Sequence, residues 1–343
     1  MRRGSAAGLV AAEAIFCAVA SPAQATGAGR EQPAAGARPQ AGSIAVTCAS
    51  PARPALAARL SRDIRSALRG RLSLVGLRVD DQGQHLSCWL NARRPFDSAS
   101  VIKATILGAL LREAMEQHRH LTQREVNLAA EMITESDNDA ASALWAQIGH
   151  RWLTRFLSLA KMTETRPGPG GYWGLTQITA HDEWLLLRLL MNANSVLNSP
   201  SRNFALSLMA HVTHAQEWGV PAGAPTSMTV HVKNGWLPLA PGGWRIHSIG
   251  CFTGHHRSYS IVMLTQDNPS MAYGITTIER AAEVIHHDLS PTETPVIPPS
   301  APAPSWGTPD EHIPDQLTTR LRAAAPSPTR DACSGLGNAL RVE

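Results

Sequence analysis

The chain has 343 residues, enough for two domains or for one large one. Apolar residues make up 43% and charged residues 17%, which supplies a packed core and excludes a chain disordered throughout. The formal net charge of +4 is small for this length and no block of five or six basic residues occurs, so neither nucleic acid nor an anionic membrane is called for as a partner.

In chain order, residues 1–25 read as a secretory signal. Arg2 and Arg3 precede an apolar stretch from Ala6 to Ala20, interrupted by Glu13, and Ala23-Gln24-Ala25 is a small-x-small cleavage site. The stretch is too short to span a bilayer and no later one qualifies, so the mature protein is expected to be exported, soluble and monomeric. Residues 26–42, rich in Ala, Gly, Pro and Gln, form a flexible leader, and residues 290–343 a Pro-rich spacer and polar tail. The folded unit is then 43–289. Export permits disulfides. With Cys17 removed, Cys48, Cys88, Cys251 and Cys333 allow three full pairings. Cys48 with Cys88 is favoured because they flank the first predicted elements, and free apolar thiols are the alternative. No CxxC pair suggests a zinc or redox site.

Within 43–289, Leu56, Leu60, Ile64 and Leu68 recur every four residues and predict an amphipathic helix. Two strands follow, Leu72 to Asp80 and His85 to Leu90, split by an Asp-Asp-Gln-Gly turn. A helical block runs from about 100 to 212, broken by Arg166-Pro-Gly-Pro-Gly-Gly171. Three strand patterns close the unit: Met228 to Gly235, Trp244 to Thr253 and Tyr259 to Gln266, the last two joined by a Gly254-His-His-Arg turn. A helix covers Tyr273 to Asp288. This order predicts an α+β fold: a five-stranded antiparallel sheet flanked by N- and C-terminal helices, with an inserted all-helical lobe and a cleft between them.

Three segments could carry chemistry. Ser100 and Lys103 lie three apart at a helix start, on one face, where free N–H groups can stabilise an oxyanion. Lys103 stands among Val101, Ile102, Ala104, Ile106, Leu107 and Leu110, a setting that disfavours its charge and makes it a proton acceptor. Ser136-Asp137-Asn138 falls where one helix ends and another begins, as a cap also would. Lys233-Asn234-Gly235 ends a strand, where an edge lysine is the simpler reading.

Together and in this order, S-x-x-K, S-D-N and K-x-G resemble the active-site signature of class A β-lactamases and penicillin-binding proteins. Only three basic residues are lysine, and two of them fall on the signature's lysine positions. The predicted element order also resembles that fold over nearly all of 43–289. The resemblance implies an acyl-serine hydrolase acting on a small acyl substrate, a β-lactam or a D-Ala-D-Ala-like peptide, without a cofactor. Opening of β-lactam rings is the leading activity. A penicillin-binding D,D-peptidase and a non-hydrolytic protein capturing β-lactams or cell-wall stems are the alternatives. It implies Ser100 as nucleophile, Lys103 as its activating partner and Ser136 as proton relay to the leaving nitrogen. Asn138, Lys233, Asn234, Gly235 and Trp236 would bind substrate, and the N–H groups of Ser100 and Trp236 would form the oxyanion hole.

The sequence departs from that family in three places. Asn234 replaces the Thr or Ser of K-T-G. The span from Lys103 to Ser136 is short, which predicts an open cleft rim. The run Lys161–Gln177 lacks E-x-x-L-N and holds one carboxylate, Glu164, whose ordinary reading is an exposed loop residue. Thr179-Ala-His-Asp182 reads as a variant capping box, with Asp182 structural. The pairs His118 and His120, His255 and His256, and His286 and His287 are read as solvated surface residues with no metal. Tyr172, Trp173 and Trp236 are core or cleft lining, and either Arg245 or Arg257 could hold a substrate carboxylate.

Overall fold

The structure, a computed structural model, describes residues 45–239, 243–254 and 257–295. The expected signal and leader, most of the tail, and Cys17, Cys333, His255 and His256 lie outside the described residues.

The sheet has six strands where five are predicted. The added strand β1 (Thr47–Ala49) is only three residues long, too short to show as an alternating pattern, and pairs antiparallel with the outer strand of the predicted hairpin. It places Cys48 directly opposite Cys88, and the two form a disulfide that pins β1 to the edge. Cys251 is a buried free thiol.

Helix α1 (Pro54–Leu68) opens with Pro54 in its first turn, where the missing N–H is no loss. Its Leu56, Leu60, Ile64 and Leu68 are all buried, the face that their spacing predicts. Strands β2 (Leu74–Asp81) and β3 (Leu86–Leu90) form the hairpin, and the two-residue β4 (Phe96–Asp97) follows. The helical lobe comprises α2 (Ile102–Glu116), α3 (Gln123–Ala130), α4 (Asn138–Leu159), α5 (Ala180–Met191) and α6 (Ser199–Ala210). Strand β5 (Gln177–Ile178), just before α5, pairs with β4 in a separate small ladder. The chain returns through β6 (Thr229–Leu239), β7 (Gly243–Gly254) and β8 (Arg257–Asn268) and ends in α7 (Met271–Leu289). The main sheet is antiparallel throughout, in the order β1–β3–β2–β8–β7–β6. Both ends of the chain complete it, as predicted.

Alternation along the strands sends side chains to two cores. Leu77, Val79, Ile261 and Met263 meet α1 and α7 on one face, while Ile249, Val262 and Leu264 meet the lobe on the other. Helix α2 is buried almost all round, because it is the centre of the lobe. The chain stays in contact with the body beyond Leu289, where the Thr294 carbonyl accepts from the Thr226 N–H.

One expectation for the histidines is corrected. His286 is 1% exposed, because it follows Ile278, Ala282 and Ile285 onto the inner face of α7. Its Nδ1 accepts from the Tyr259 hydroxyl and its Nε2 donates to the Val220 carbonyl. His247 is likewise buried, its Nε2 donating to the Asp97 carbonyl and its Nδ1 accepting from the Thr265 N–H. Burial holds both imidazoles neutral and pushes each pKa down to about 4, from 6.5. A base whose pKa is depressed by folding contributes stability above its unfolded pKa and loses it as pH falls through the folded one. Stability to urea is therefore expected to drop between pH 6.5 and 4, by about 3 kcal/mol per buried histidine. Denaturation curves at pH 7 and pH 4 check this: His286→Gln should lose markedly less than the wild type over that interval, and an equal loss would contradict it.

Candidate active site

The segment reaching Ser100 is held from both sides. Strand β4 is laddered to β5, the Ser98 N–H donates to the Thr176 carbonyl, and the Asp97 carbonyl is held by His247. Ala99 then takes a left-handed conformation (φ 45°) although it carries a Cβ and is fully buried. Such a residue is strained and persists only where its surroundings over-determine it. A single 3₁₀ turn, Ala99–Val101, carries Ser100, which is 8% exposed, directly into α2. Lys103 follows one turn later and is fully buried.

The second piece is built at a helix junction. After α3 the chain widens into a π-turn over Glu131–Glu135 and stops at Ser136, a second side-chain-bearing residue in the left-handed region (φ 62°). Asp137 caps α4, its Oδ1 accepting from the Ala140 N–H at 2.7 Å, and Asn138 is the helix's first residue. The capping role and the site role thus fall to neighbouring residues of one tripeptide. The tight reversal aims Ser136 and Asn138 at Lys103: its Nζ donates to the Ser136 carbonyl at 2.7 Å and to Asn138 Oδ1 at 2.6 Å, and lies 3.3 Å from Ser136 Oγ.

Strand β6 supplies the third piece. Lys233 is 1% exposed and its Nζ donates to Ser136 Oγ at 2.9 Å and to the Asn234 carbonyl at 3.0 Å. One hydroxyl therefore faces both buried amines. Burial, and secondarily the charge of Lys103, hold the Lys233 pKa well below its ordinary 10.5. Gly235 is required by close approach. A Cβ there would stand 2.9 Å from the Ser100 nitrogen and 2.8 Å from that of Val101, so only glycine lets β6 run against the turn that presents Ser100.

The remaining expected residues fall as follows. Asn234 is buried, and its amide group donates to the Gln216 and Trp218 carbonyls at 2.7 and 3.0 Å. Ser248, opposite it on β7, accepts from the Val220 N–H. These two side chains tie the 216–220 loop to the sheet and bring Trp218 against the half-buried Trp236, edge to face with ring centroids 6.2 Å apart. Arg245 is engaged with Asp97 and Asp267, and Arg257 with Asp81 and Ser290. Neither arginine reaches Lys233 in these contacts.

Glu164 is bonded through one oxygen to Arg93 and through the other to Thr179. Asp182 is structural, as its position predicts, but by another route than a capping box. Thr179 caps α5, while Asp182 Oδ2 accepts from the N–H groups of Glu164 and Thr165 and from the Thr165 hydroxyl. This fixes the loop carrying Trp173, whose indole lies over Lys103 with Nζ 4.7 Å from the ring centroid. Its Nε1 donates to Ser142. The sequence signals an aromatic at Trp173 but not its place over the lysine. Ser248 and Gln216 carry no local signal, since their partners are distant in sequence. Among the described residues no group of three or more His, Cys, Asp or Glu could hold a metal ion.

Residues 124–289 match the Beta-lactamase2 model, the beta-lactamase enzyme family, a stretch that includes Ser136 and Lys233 and begins after Lys103. No curated protein matches. Solved structures give the fold. A class A β-lactamase representative from Bacteroides cellulosilyticus is similar at TM-score 0.60 and 14% identity, over 68% of this chain and 98% of that one. PBP-A is similar at TM-score 0.59 and 18% identity, over 68% and 96%. A β-lactamase from Xanthomonas campestris gives 0.59 and 19%, over 67% and 97%.

Gly235→Ala tests the geometry. The added methyl must push β6 away from Ser100, so acylation by a reactive ester or β-lactam is expected to fall about 100-fold with the fold retained. Stopped-flow acylation rates beside circular dichroism check it; an unchanged rate would show that the close approach is not needed.

Proposed function

We propose that this chain, a member of the class A β-lactamase-like superfamily, is an exported acyl-serine hydrolase that opens β-lactam rings and releases the acyl group slowly. The observation that carries the reading is the Ser136 hydroxyl standing within hydrogen-bond reach of two buried lysines. The Cys48–Cys88 disulfide suits an oxidising compartment outside the cytosol.

The chemistry follows from where protons can go. Two ammonium charges close together in a buried site repel, and Lys233 is held well below its ordinary pKa. Lys103 is surrounded by the acceptors Ser136 O, Asn138 Oδ1 and Ser136 Oγ. Lys103 first gives a proton to Ser136 Oγ while Ser136 gives its own to Lys233, which frees a lone pair on the Lys103 amine. As Ser100 Oγ attacks the carbonyl carbon, its proton passes to that amine. The new C–O bond forms as the carbonyl pair moves onto oxygen, where the N–H groups of Ser100 and Trp236 receive it. Collapse breaks the C–N bond, Ser136 gives its proton to the leaving nitrogen, and Lys233 returns one to Ser136 Oγ and is neutral again. A substrate carboxylate beside Lys233 would favour its charged form, so binding helps to pull the proton along the relay. The Asn138 amide is left to hold the substrate's side-chain amide.

Deacylation needs a positioned base for water. Glu164, the only carboxylate in the Lys161–Gln177 run, is held by Arg93 and Thr179, and the loop presents the Trp173 indole to Lys103 instead. This supports a persistent acyl-enzyme. One similar solved structure is a leucine-to-glutamate mutant of PBP-A described as an acyl-enzyme complex with penicillin G, at 17% identity and TM-score 0.59.

Intact mass spectrometry after mixing with penicillin G tests the proposal. The expected result is one covalent adduct on Ser100 that outlasts removal of free drug, absent in Ser100→Ala and formed about 10²–10⁴-fold more slowly in Lys103→Ala. Rapid product without a lasting adduct would overturn slow release. Neither adduct nor product would overturn β-lactams as substrates.

A further inference from the structure

A cleft of about 670 Å³ opens elsewhere on the molecule, lined by Arg78, Trp89, Arg93, Arg94 and His181 among others. It arises because the sheet is wider than the lobe that covers it. Arg78 and Trp89 are direct neighbours across β2 and β3, on the face whose next residue toward the centre, Val262, packs against the lobe. Helix α5 covers that face as far as Arg78, whose guanidinium lies over the Trp184 ring at 4.3 Å. Trp89, one strand further out, stays 38% exposed.

Charge in the cleft is unbalanced. Arg78 is 13% exposed, its Nε is buried without a hydrogen-bond partner, and its nearest carboxylate, on Asp80, lies at 3.9 Å and already accepts from Ser87. Burial pulls the Arg78 pKa below its ordinary value; Asp80 opposes this and Arg93 adds to it. Arg93 is paired with Glu164 and approaches His181 Nε2 at 3.3 Å. Arg94 is exposed and has no side-chain partner among the described residues. Three guanidinium groups thus face the Asp80 and Glu164 carboxylates, both already engaged, while the His181 imidazole, whose pKa burial lowers, also feels Asp182.

We propose that this cleft is a second binding site, separate from Ser100, for an acidic glycan whose sugar rings carry carboxylates. The arginine forks match carboxylate geometry and take carboxylate partners here, in Asp80 and Glu164. The exposed indole of Trp89 offers a flat apolar surface for the C–H face of a sugar ring, amphipathic like the ring itself. The volume accommodates a short oligosaccharide. A nucleic-acid strand would need a longer basic track, which the sequence lacks.

Isothermal titration of the purified chain with oligogalacturonate, with neutral cello-oligosaccharide and with inorganic phosphate tests this. Oligogalacturonate should bind, weaken at high salt, and bind at least about 10-fold more weakly to Arg94→Ala and to Trp89→Ala, one good contact being about 1.4 kcal/mol. The neutral oligomer should not bind. Melting temperatures of both variants report folding, and their acylation by penicillin G should match the wild type. No binding, equal binding of the neutral oligomer, phosphate binding as tight as the oligomer, or wild-type affinity in both variants would each overturn the proposal. The binding and melting readouts do not involve Ser100, so they stand even if penicillin fails to react there.

Discussion

The hydroxyl of Ser136 is shared by two amines that are buried away from solvent. Lys103 and Lys233 are both buried, and putting two ammonium groups side by side at low dielectric is costly unless their N–H groups are satisfied and their combined charge can fall. Each therefore depends on acceptors delivered by a different element: α2 carries one lysine, β6 the other, and the junction before α4 carries the serine and asparagine between them. Sheet and lobe come together at this point, so the chemistry and the packing of the two halves are one problem.

The backbone bears the cost of that arrangement. Ala99 and Ser136, flanking or forming the reactive group, both hold positive φ without being glycine, and Gly235 is glycine because nothing larger fits. Around them the fixing contacts are made by buried side chains with no chemical part: His247 on the Asp97 carbonyl, Asp182 on the loop at residues 164–165, and Asn234 and Ser248 on the loop at 216–220. Asn234 is the instructive case. A residue expected to meet substrate spends its amide hydrogens on two main-chain carbonyls and so positions Trp218 beside Trp236. On the proposed function, binding of an anionic substrate group then falls to Lys233 and Ser136.

Much of this architecture is legible in the amino-acid sequence. The four-residue spacing of α1, the hairpin turn, the β6–β8 run and the order helix, strands, lobe, strands, helix all follow from local periodicity, and the folded chain has them. The three motifs are legible because S-x-x-K is local to one helix turn and S-D-N uses cap residues at a real helix junction. What escapes a reading of the sequence depends on contacts distant along the chain. Strand β1 is three residues long and exists by virtue of its pairing with β3 and the disulfide. His286 has the look of half a surface pair, and only the register of α7 turns it inward. Trp173 is an ordinary aromatic in sequence, and only the fold of its loop sets it over Lys103.

The central claim is that one of the two buried amines gives up its charge within reach of Ser136. The chain contains only three lysines, Lys103, Lys161 and Lys233, so a titration of the side-chain Nζ signals by ¹⁵N NMR, assigned with Lys→Arg variants, can follow each one separately. The account predicts that Lys233 loses its proton well below 10.5, and that Ser136→Ala changes that titration because the shared acceptor is gone. A Lys233 that stays protonated up to 10.5 or beyond would contradict the relay, because it could not take the proton that Ser136 passes on.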